Sequence, residues 1–254
     1  MKTFIKWSGN KSKHLNKIIS YVPTEFNTYI EPFLGSGAMF LYLEPEKWII
    51  NDINKDLINC WKLIKDDPEY IISEFKKFGR KFKPMSIDRK TDYCKKITAN
   101  IGNLPYDIDR AITYMLMKAC VYMGEIFQKN KFLFSGLELK ISSKNHYAFL
   151  TIRNYDNILN VSDFLNETNG TIYNTDYKKV LSKAKKGDFV FLDPPYIEKH
   201  DYAFKYNKEE KLDTTFIQNL LTEVQKLDKK GVMWMMTQAE TKDIKHAFKK
   251  YTIK

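Results

Sequence analysis

Asp193-Pro194-Pro195-Tyr196 places a carboxylate, a stiff bend and an aromatic ring within four residues. The prolines lack an N–H and fix the local backbone, so they end a sheet ladder rather than continue it. The run before them, Gly187-Asp188-Phe189-Val190-Phe191-Leu192, is aromatic and β-branched and opens at a turn signal. That is the pattern of a buried parallel strand. The tetrapeptide therefore stands at a strand's carboxyl end, the edge where open α/β sheets bind ligands. An ordinary Pro-Pro turn, with Asp193 as a cap and Tyr196 as packing, is the alternative that four residues alone leave open.

Three earlier segments could hold a ligand. Ser8-Gly9-Asn10-Lys11 is a turn ahead of Leu15, Ile18, Ile19 and Val22 at helical spacing, a cradle for an anion or carboxylate or simply a turn. Tyr29-Ile30-Glu31-Pro32-Phe33 is a strand candidate that runs through Leu34 into Gly35-Ser36-Gly37, with a helix opening over Ala38–Leu43. Glycines there permit a sharp turn and close approach of a ligand, while the absence of a full GxGxxG argues against a nicotinamide site. Trp48-Ile49-Ile50-Asn51-Asp52 reads as a second strand ending in an acid. Asp52 is placed to accept both hydroxyls of a ribose, or to cap a helix over Lys55–Lys65.

Residues 55–167 are expected to be mostly helical and to interrupt the α/β alternation. Ile71, Ile72, Phe75 and Phe78 share a helical face, and Ala111–Met123 is an apolar, Met-rich helix. Lys76, Lys77, Arg80, Lys81 and Lys83 interleave with Phe78 and Phe82. Gln128–Lys140, with Lys129, Lys131 and Lys140, repeats the mixture in a hairpin-like stretch. Such mixtures suit phosphate contact plus base stacking, or a solvated face with its aromatics turned inward. The alternation resumes with a strand over Gly170–Asn174, then Asp176-Tyr177, a helix over Lys178–Lys185, and the strand into Asp193. An amphipathic helix through Phe216–Leu227, a strand over Gly231–Thr237 and a helix over Thr241–Lys250 complete the pattern.

The chain's 254 residues suit one large domain, or one with an inserted lobe. A net charge of +11 points to a polyanion, nucleic acid first; the alternative is a lysine-rich composition, since only Arg80, Arg89, Arg110 and Arg153 are arginines. Three scattered cysteines and four scattered histidines form neither a disulfide framework nor a metal site, so a reducing compartment and no metal are expected. Neither a signal-peptide core nor an 18-residue apolar run is present, so a cytoplasmic, membrane-free location is expected.

Taken together, Phe4–Lys11, Glu31–Ala38, Asn51–Asn54 and Asp193–Tyr196 resemble, in order and across nearly the whole chain, the DNA N6-adenine methyltransferases of the GATC-methylase type with α-class motif order. The resemblance implies a Rossmann-like α/β sheet with helices on both faces. Residues 1–54 and 168–254 would be the catalytic domain, and 55–167 an inserted target recognition domain contacting double-stranded DNA. It implies S-adenosyl-L-methionine (AdoMet) as donor. Trp7, Lys11 and the Phe33–Gly37 loop, with Gly35 and Ser36, would hold its methionine end, and Ser8, Gly9, Glu31, Pro32 and Ile53 would be further cofactor-binding residues. Asp52 would take the ribose hydroxyls, and Asp176 and Tyr177 the cofactor adenine, Asp176 through its exocyclic amine and Tyr177 through its face. Asp193 and the Pro194 carbonyl would accept the two protons of a flipped adenine's amine, with Pro195 fixing the bend and Tyr196 stacking on the ring.

The sequence departs from the family in three places. The recognition hairpin, Gly124–Phe132, keeps only fragments of the family's Gly-x-Phe-Asn-x-Pro pattern, which opens the target sequence. Asn10 stands where many members have a second glycine. The chain stops at Lys254, short of the family's final strand pair, which leaves a truncated chain or a sheet edge completed by a second copy or another chain. Alternative functions are a catalytically silent nucleic-acid-binding or partner subunit, and methylation of RNA adenine or cytosine N4. Family cytosine enzymes more often carry Ser where Asp193 stands, which argues against the last.

Overall fold

The computed structural model describes residues 1–7, 9–120, 127–128, 131–132, 154–196 and 214–253. In chain order the elements begin α1 (Leu15–Ile18), β1 (Tyr29–Glu31), α2 (Ala38–Leu43), β2 (Lys47–Asn51), α3 (Lys55–Asp66) and α4 (Pro68–Phe82). They continue with α5 (Ile87–Ile101), α6 (Ile108–Cys120), β3 (Phe127–Gln128), β4 (Lys131–Phe132) and α7 (Tyr155–Glu167). The last are β5 (Asn169–Tyr173), α8 (Tyr177–Leu181), β6 (Phe189–Leu192), α9 (Thr214–Lys230), β7 (Met233–Met236) and α10 (Lys242–Ala247). Two compact units result: one comprises Met1–Leu15, Gly35–Glu44 and Lys55–Asn169, the other Asn16–Leu34, Pro45–Asn54 and Gly170–Lys254.

The second unit is built on a sheet of order β5-β2-β1-β6-β7. β1 runs parallel to β2 and to β6, and β6 parallel to β7, with Ile30 opposite Ile49 and Val190, and Leu192 opposite Met236. The fold is thus of the Rossmann-like α/β class. Strand order reverses at β1, so the switch point lies between the ends of β1 and β6, and Glu31-Pro32-Phe33 and Asp193 project from that edge. Every residue of β1 and β6 is buried, which explains the uninterrupted apolar and aromatic run of β6, while β1 closes on the buried Glu31. Ile30, Val190 and Leu192 meet Val180 and Leu181 of α8, Phe216, Leu220, Val224 and Leu227 of α9, and Ile244 of α10 in one core cluster. Gly170 in β5 passes so close to Trp48 that a Cβ would lie 1.9 Å from the indole, which requires glycine there.

Among its described residues, the regular structure of the first unit is helical apart from the short antiparallel β3–β4 pair. Phe4, Phe40, Trp61 and Phe164 form an aromatic chain, with centroids 4.7 Å apart for Phe4–Trp61, 5.9 Å for Phe40–Trp61 and 5.2 Å for Phe40–Phe164. Asp56 on α3 pairs with Arg110 on α6 through contacts of 2.5 and 3.2 Å, and Arg110 also donates to the carbonyls of Ile101 and Leu104 at 2.8 Å. This one guanidinium fastens α3, α6 and the end of α5.

Three of the expected helices are shorter in the structure, and the strands expected over Gly187–Leu192 and Gly231–Thr237 narrow to Phe189–Leu192 and Met233–Met236. The helix expected over Lys178–Lys185 ends at Leu181, where Lys183 and Ala184 donate to carbonyls three residues back and the chain turns toward β6. The helix expected over Thr241–Lys250 ends at Ala247 and is capped by the Thr241 hydroxyl. Val22 lies beyond α1 and the 3₁₀ turn Ile19–Tyr21 that follows it. The end of the Met-rich helix, 121–123, falls outside the described residues. No helix among the described residues is long and apolar enough to cross a membrane.

Candidate functional site

In the second unit, polar residues gather where strands end. At the end of β6, Pro194 is buried, and Asp193, Pro195 and Tyr196 are half-buried. The β6–β7 ladder runs one residue past the strands, where the Thr237 N–H donates to the Leu192 carbonyl at 2.9 Å. The Thr237 hydroxyl donates to Oδ1 of Asp193 at 2.5 Å, and the Gln238 amide to the Pro195 carbonyl at 3.3 Å. No donor among the described residues reaches the Pro194 carbonyl. On β1, the Tyr29 hydroxyl donates to the buried Glu31 carboxylate at 2.7 Å. Burial, with Glu31 beside it and Asp193 as a weaker influence, pushes the Tyr29 phenol well above its usual pKa, so it stays a donor.

The neighbouring strand ends are tied by two asparagines. Asn51, 1 % exposed at the end of β2, donates to the carbonyls of Pro32 at 2.9 Å and Thr175 at 3.0 Å, and accepts from the Thr175 N–H at 2.9 Å. Asn174 donates to the carbonyls of Asp52 at 2.8 Å and Ile53 at 3.1 Å. The loops after β1, β2 and β5 thus share one polar clasp. Asp52 is half-buried and accepts from the Asn54 N–H at 2.9 Å; Ile53 is 49 % exposed. Asp176 caps α8, accepting from the Lys178 N–H at 2.7 Å. The Tyr177 ring is 4 % exposed, between Phe33 at 5.0 Å and Phe216 at 6.0 Å, while Phe33 is half-buried.

The first unit carries the remaining described candidates. Gly35 (φ +51°) and Gly37 (φ +66°) have left-handed backbones, and a Cβ on Gly35 would come within 2.8 Å of the Trp7 indole nitrogen. Glycine is demanded there both by conformation and by the close pass of the indole. Ser36 is buried between them. Lys11 is 8 % exposed and donates to the carbonyl of Gly9 (φ +78°) at 3.0 Å. Asn10 has an ordinary φ of −51°, and its side chain accepts from the Ser12 N–H at 2.8 Å. The family's glycine is therefore dispensable at that position, where a capping side chain does the turn's work. Lys118, 5 % exposed on α6, lies 4.2 Å from the Trp7 ring centroid.

The basic residues of α4 separate from its aromatics. Lys76, Lys77, Arg80, Lys81 and Lys83 are exposed, while Phe78 and Phe82 are buried and stacked 4.9 Å apart. Base stacking by these two rings is therefore ruled out: the helical period turns them into the core and leaves the lysines in solvent. Ser8, Lys129 and Lys140, like the side chain of Lys131, lie outside the described residues.

Asn51, Asn174, Thr237 and Gln238 were not among the expected site residues. The signal was available, because each is a polar residue at or just past the end of an apolar strand, the same cue that singled out Asp52 and Asp193.

Residues 7–254 match the family model for D12 class N6 adenine-specific DNA methyltransferases. The chain is similar to a type II methyltransferase of Lactococcus lactis subsp. cremoris, 30% identical over 271 residues that cover 100% of this chain and 86% of that one. It is also similar to a type II methyltransferase of Methanocaldococcus jannaschii, 30% identical over 257 residues, with 96% of this chain and 86% of that one covered. A DNA adenine methylase of Haemophilus influenzae is 28% identical over 202 residues, 76% of this chain and 63% of that one. With a family match over nearly its whole length and a strand-end geometry to suit, the chain belongs to the D12 class N6 adenine-specific DNA methyltransferases.

Proposed function

We propose that Asp193 and the Pro194 carbonyl accept the two protons of an adenine amine in DNA, and that the methyl group comes from AdoMet. The observation that carries this is the bend after β6: a carboxylate at the sheet's switch point, braced by Thr237, next to a carbonyl that no described donor reaches. The exocyclic amine is a weak nucleophile because its lone pair is conjugated with the ring. Two acceptors drawing on its protons favour a tetrahedral nitrogen with a localised pair, and they stabilise positive charge as it develops there. Tyr196 supplies a ring face to an adenine flipped out of the duplex, which offsets part of an unstacking cost of roughly a few kcal/mol.

The donor set fits the cofactor. Asp52 offers a carboxylate to a ribose diol, Ile53 an exposed aliphatic surface, and Phe33 a half-buried ring that Tyr177 supports from the core. Asp176 is assigned to the adenine's amine. In the first unit, Trp7, Lys11 and the Gly35–Gly37 turn are assigned to the methionine end, while Ser8, Gly9, Glu31 and Pro32 are assigned to the cofactor by their place in the motif order. When bound, AdoMet supplies a methyl group already activated on a sulfonium, so the protein's task is alignment. Residues 55–167 are assigned to target recognition, with Lys76, Lys77, Arg80, Lys81 and Lys83 on phosphates.

Transfer of labelled methyl from AdoMet to duplex DNA tests the reading. Asp193→Ala should lower turnover by about 10³-fold while calorimetric AdoMet affinity stays within about threefold of wild type. Asp52→Ala should do the reverse, weakening AdoMet first. Undiminished N6-methyladenine from Asp193→Ala would sink the assignment.

A further inference from the structure

We propose that Thr237 is a positioning residue for methyl transfer, its hydroxyl setting the rotation of the Asp193 carboxylate. The inference rests on the reading that Asp193 holds the target amine.

Thr237 is fixed before its side chain acts. Its N–H completes the β6–β7 ladder at the Leu192 carbonyl, one residue beyond the Leu192–Met236 pair. That register sets Thr237 beside Asp193, and a β-branched side chain has few χ1 choices from which to reach it. The 2.5 Å contact joins the Thr237 hydroxyl to Oδ1 of Asp193; an ionised carboxylate can only accept, so the hydroxyl is the donor. The terminal torsion of an aspartate is broad and roughly two-fold, and an unbraced carboxylate would sweep its oxygens through a wide arc. Holding Oδ1 fixes the carboxylate plane and with it the direction of Oδ2. Next in sequence, the Gln238 amide holds the Pro195 carbonyl at 3.3 Å, and the Gln238 side-chain oxygen accepts from the Ala239 N–H at 2.8 Å. The segment after β7 thus braces both sides of the Pro194 carbonyl. An acceptor that works only when aligned with a developing charge needs such a brace, because a shift of about 1 Å can cost about 10²-fold in rate.

The test reads the single-turnover transfer rate, which separates chemistry from product release, in the full chain with duplex DNA. Thr237→Val keeps the shape and deletes the donor; it should lower that rate about 10- to 100-fold and leave the Kd for AdoMet and for DNA within about twofold. Thr237→Ser restores the donor and should recover the rate to within about threefold of wild type, a rescue that a purely structural role would not produce. In an Asp193→Ala background, Thr237→Val should cost nothing further, since the group it aims is gone. A Thr237→Val rate within twofold of wild type, beside an inactive Asp193→Ala, overturns the positioning role and leaves the proposed function standing. An active Asp193→Ala overturns both. Should Thr237→Val unfold, Thr237→Ala takes its place, with the same loss and the same serine rescue expected.

Discussion

The two units put their polar groups to opposite uses. In the helical unit the dominant polar contact is interior: Asp56 and Arg110, with side chains 7% and 5% exposed, tie α3 to α6. The charge on α4 lies outside, on Lys76, Lys77, Arg80, Lys81 and Lys83. In the sheet unit the polar groups sit at the strand ends, half-buried, and are held there by neighbours that themselves touch no ligand in the proposed chemistry: Asn51, Asn174, Thr237 and Gln238. The first arrangement holds helices together and the second presents groups to a substrate. The same kind of substitution should therefore fail in different ways in the two places.

Arg110→Ala gives the largest expected effect. It strands the Asp56 carboxylate in the core, removes the donor from the Leu104 carbonyl and leaves the Ile101 carbonyl with the Leu104 N–H alone, so it should cost about 3–5 kcal/mol of stability. Urea denaturation measures this directly. Asp193→Ala, by contrast, removes a half-buried group that serves chemistry, and should leave the urea midpoint nearly unchanged while turnover falls. If Arg110→Ala were as stable as wild type, or if Asp193→Ala unfolded the protein, the division between holding and presenting would collapse.

That division also explains what the sequence could and could not show. The strands, the glycine turn, Asp52 and Asp193 were legible because apolar runs ending in a polar residue mark strand ends, and strand ends are where α/β sheets bind ligands. Thr237 was legible only as the last residue of a strand, since its partner lies 44 residues away and a register is needed to bring the two together. Tyr177 stood in the sequence as a ring for the cofactor; its place at the start of α8 turns it between Phe33 and Phe216. The mixture of lysine and phenylalanine in 76–83 was ambiguous in sequence, and only the burial of Phe78 and Phe82 resolved it. The Asp56–Arg110 pair, 54 positions apart, had no sequence signature at all.

The outer lysines supply a sharper test of the first unit. Lys77 is paired with Glu74 at 2.5 Å and the Lys81 ammonium lies 4.9 Å from the Tyr93 ring centroid, while the Lys76 ammonium stands farther from its ring, 5.3 Å from the Tyr155 centroid, so the substitution of choice is Lys76→Ala, Arg80→Ala and Lys83→Ala together. If the three contact phosphates, the slope of log K for DNA against log salt should become shallower by about 2–3, at about 0.9 per contact. Turnover at saturating DNA and the urea midpoint should both stay near wild type. An unchanged slope would remove α4 from the DNA interface and make its charge a solubility feature only.

The smallest effect is expected where the sheet unit has a holding contact of its own, at the surface. Asp228 accepts from the Trp234 indole at 2.7 Å and from the Tyr251 hydroxyl at 2.6 Å, joining β7 to the segment after α10. The Trp234 and Tyr251 rings meet edge to face at 5.0 Å. Partial burial and the Asp228 carboxylate push the Tyr251 phenol up to about 12 from an ordinary 10. A raised folded-state pKa means that the neutral phenol is the stabilised form. Its contribution is whole below pH 10 and is lost as pH rises toward 12. Tyr251→Phe should therefore cost about 1 kcal/mol or less at pH 8, and the gap to wild type should close between pH 10 and 12. Lysine deprotonation in that range affects both proteins alike and cancels in the difference. A gap that stayed constant to pH 12 would mean that Tyr251 acts through its ring on Trp234 and not through its hydroxyl, and the sheet unit's edge would then be held by packing alone.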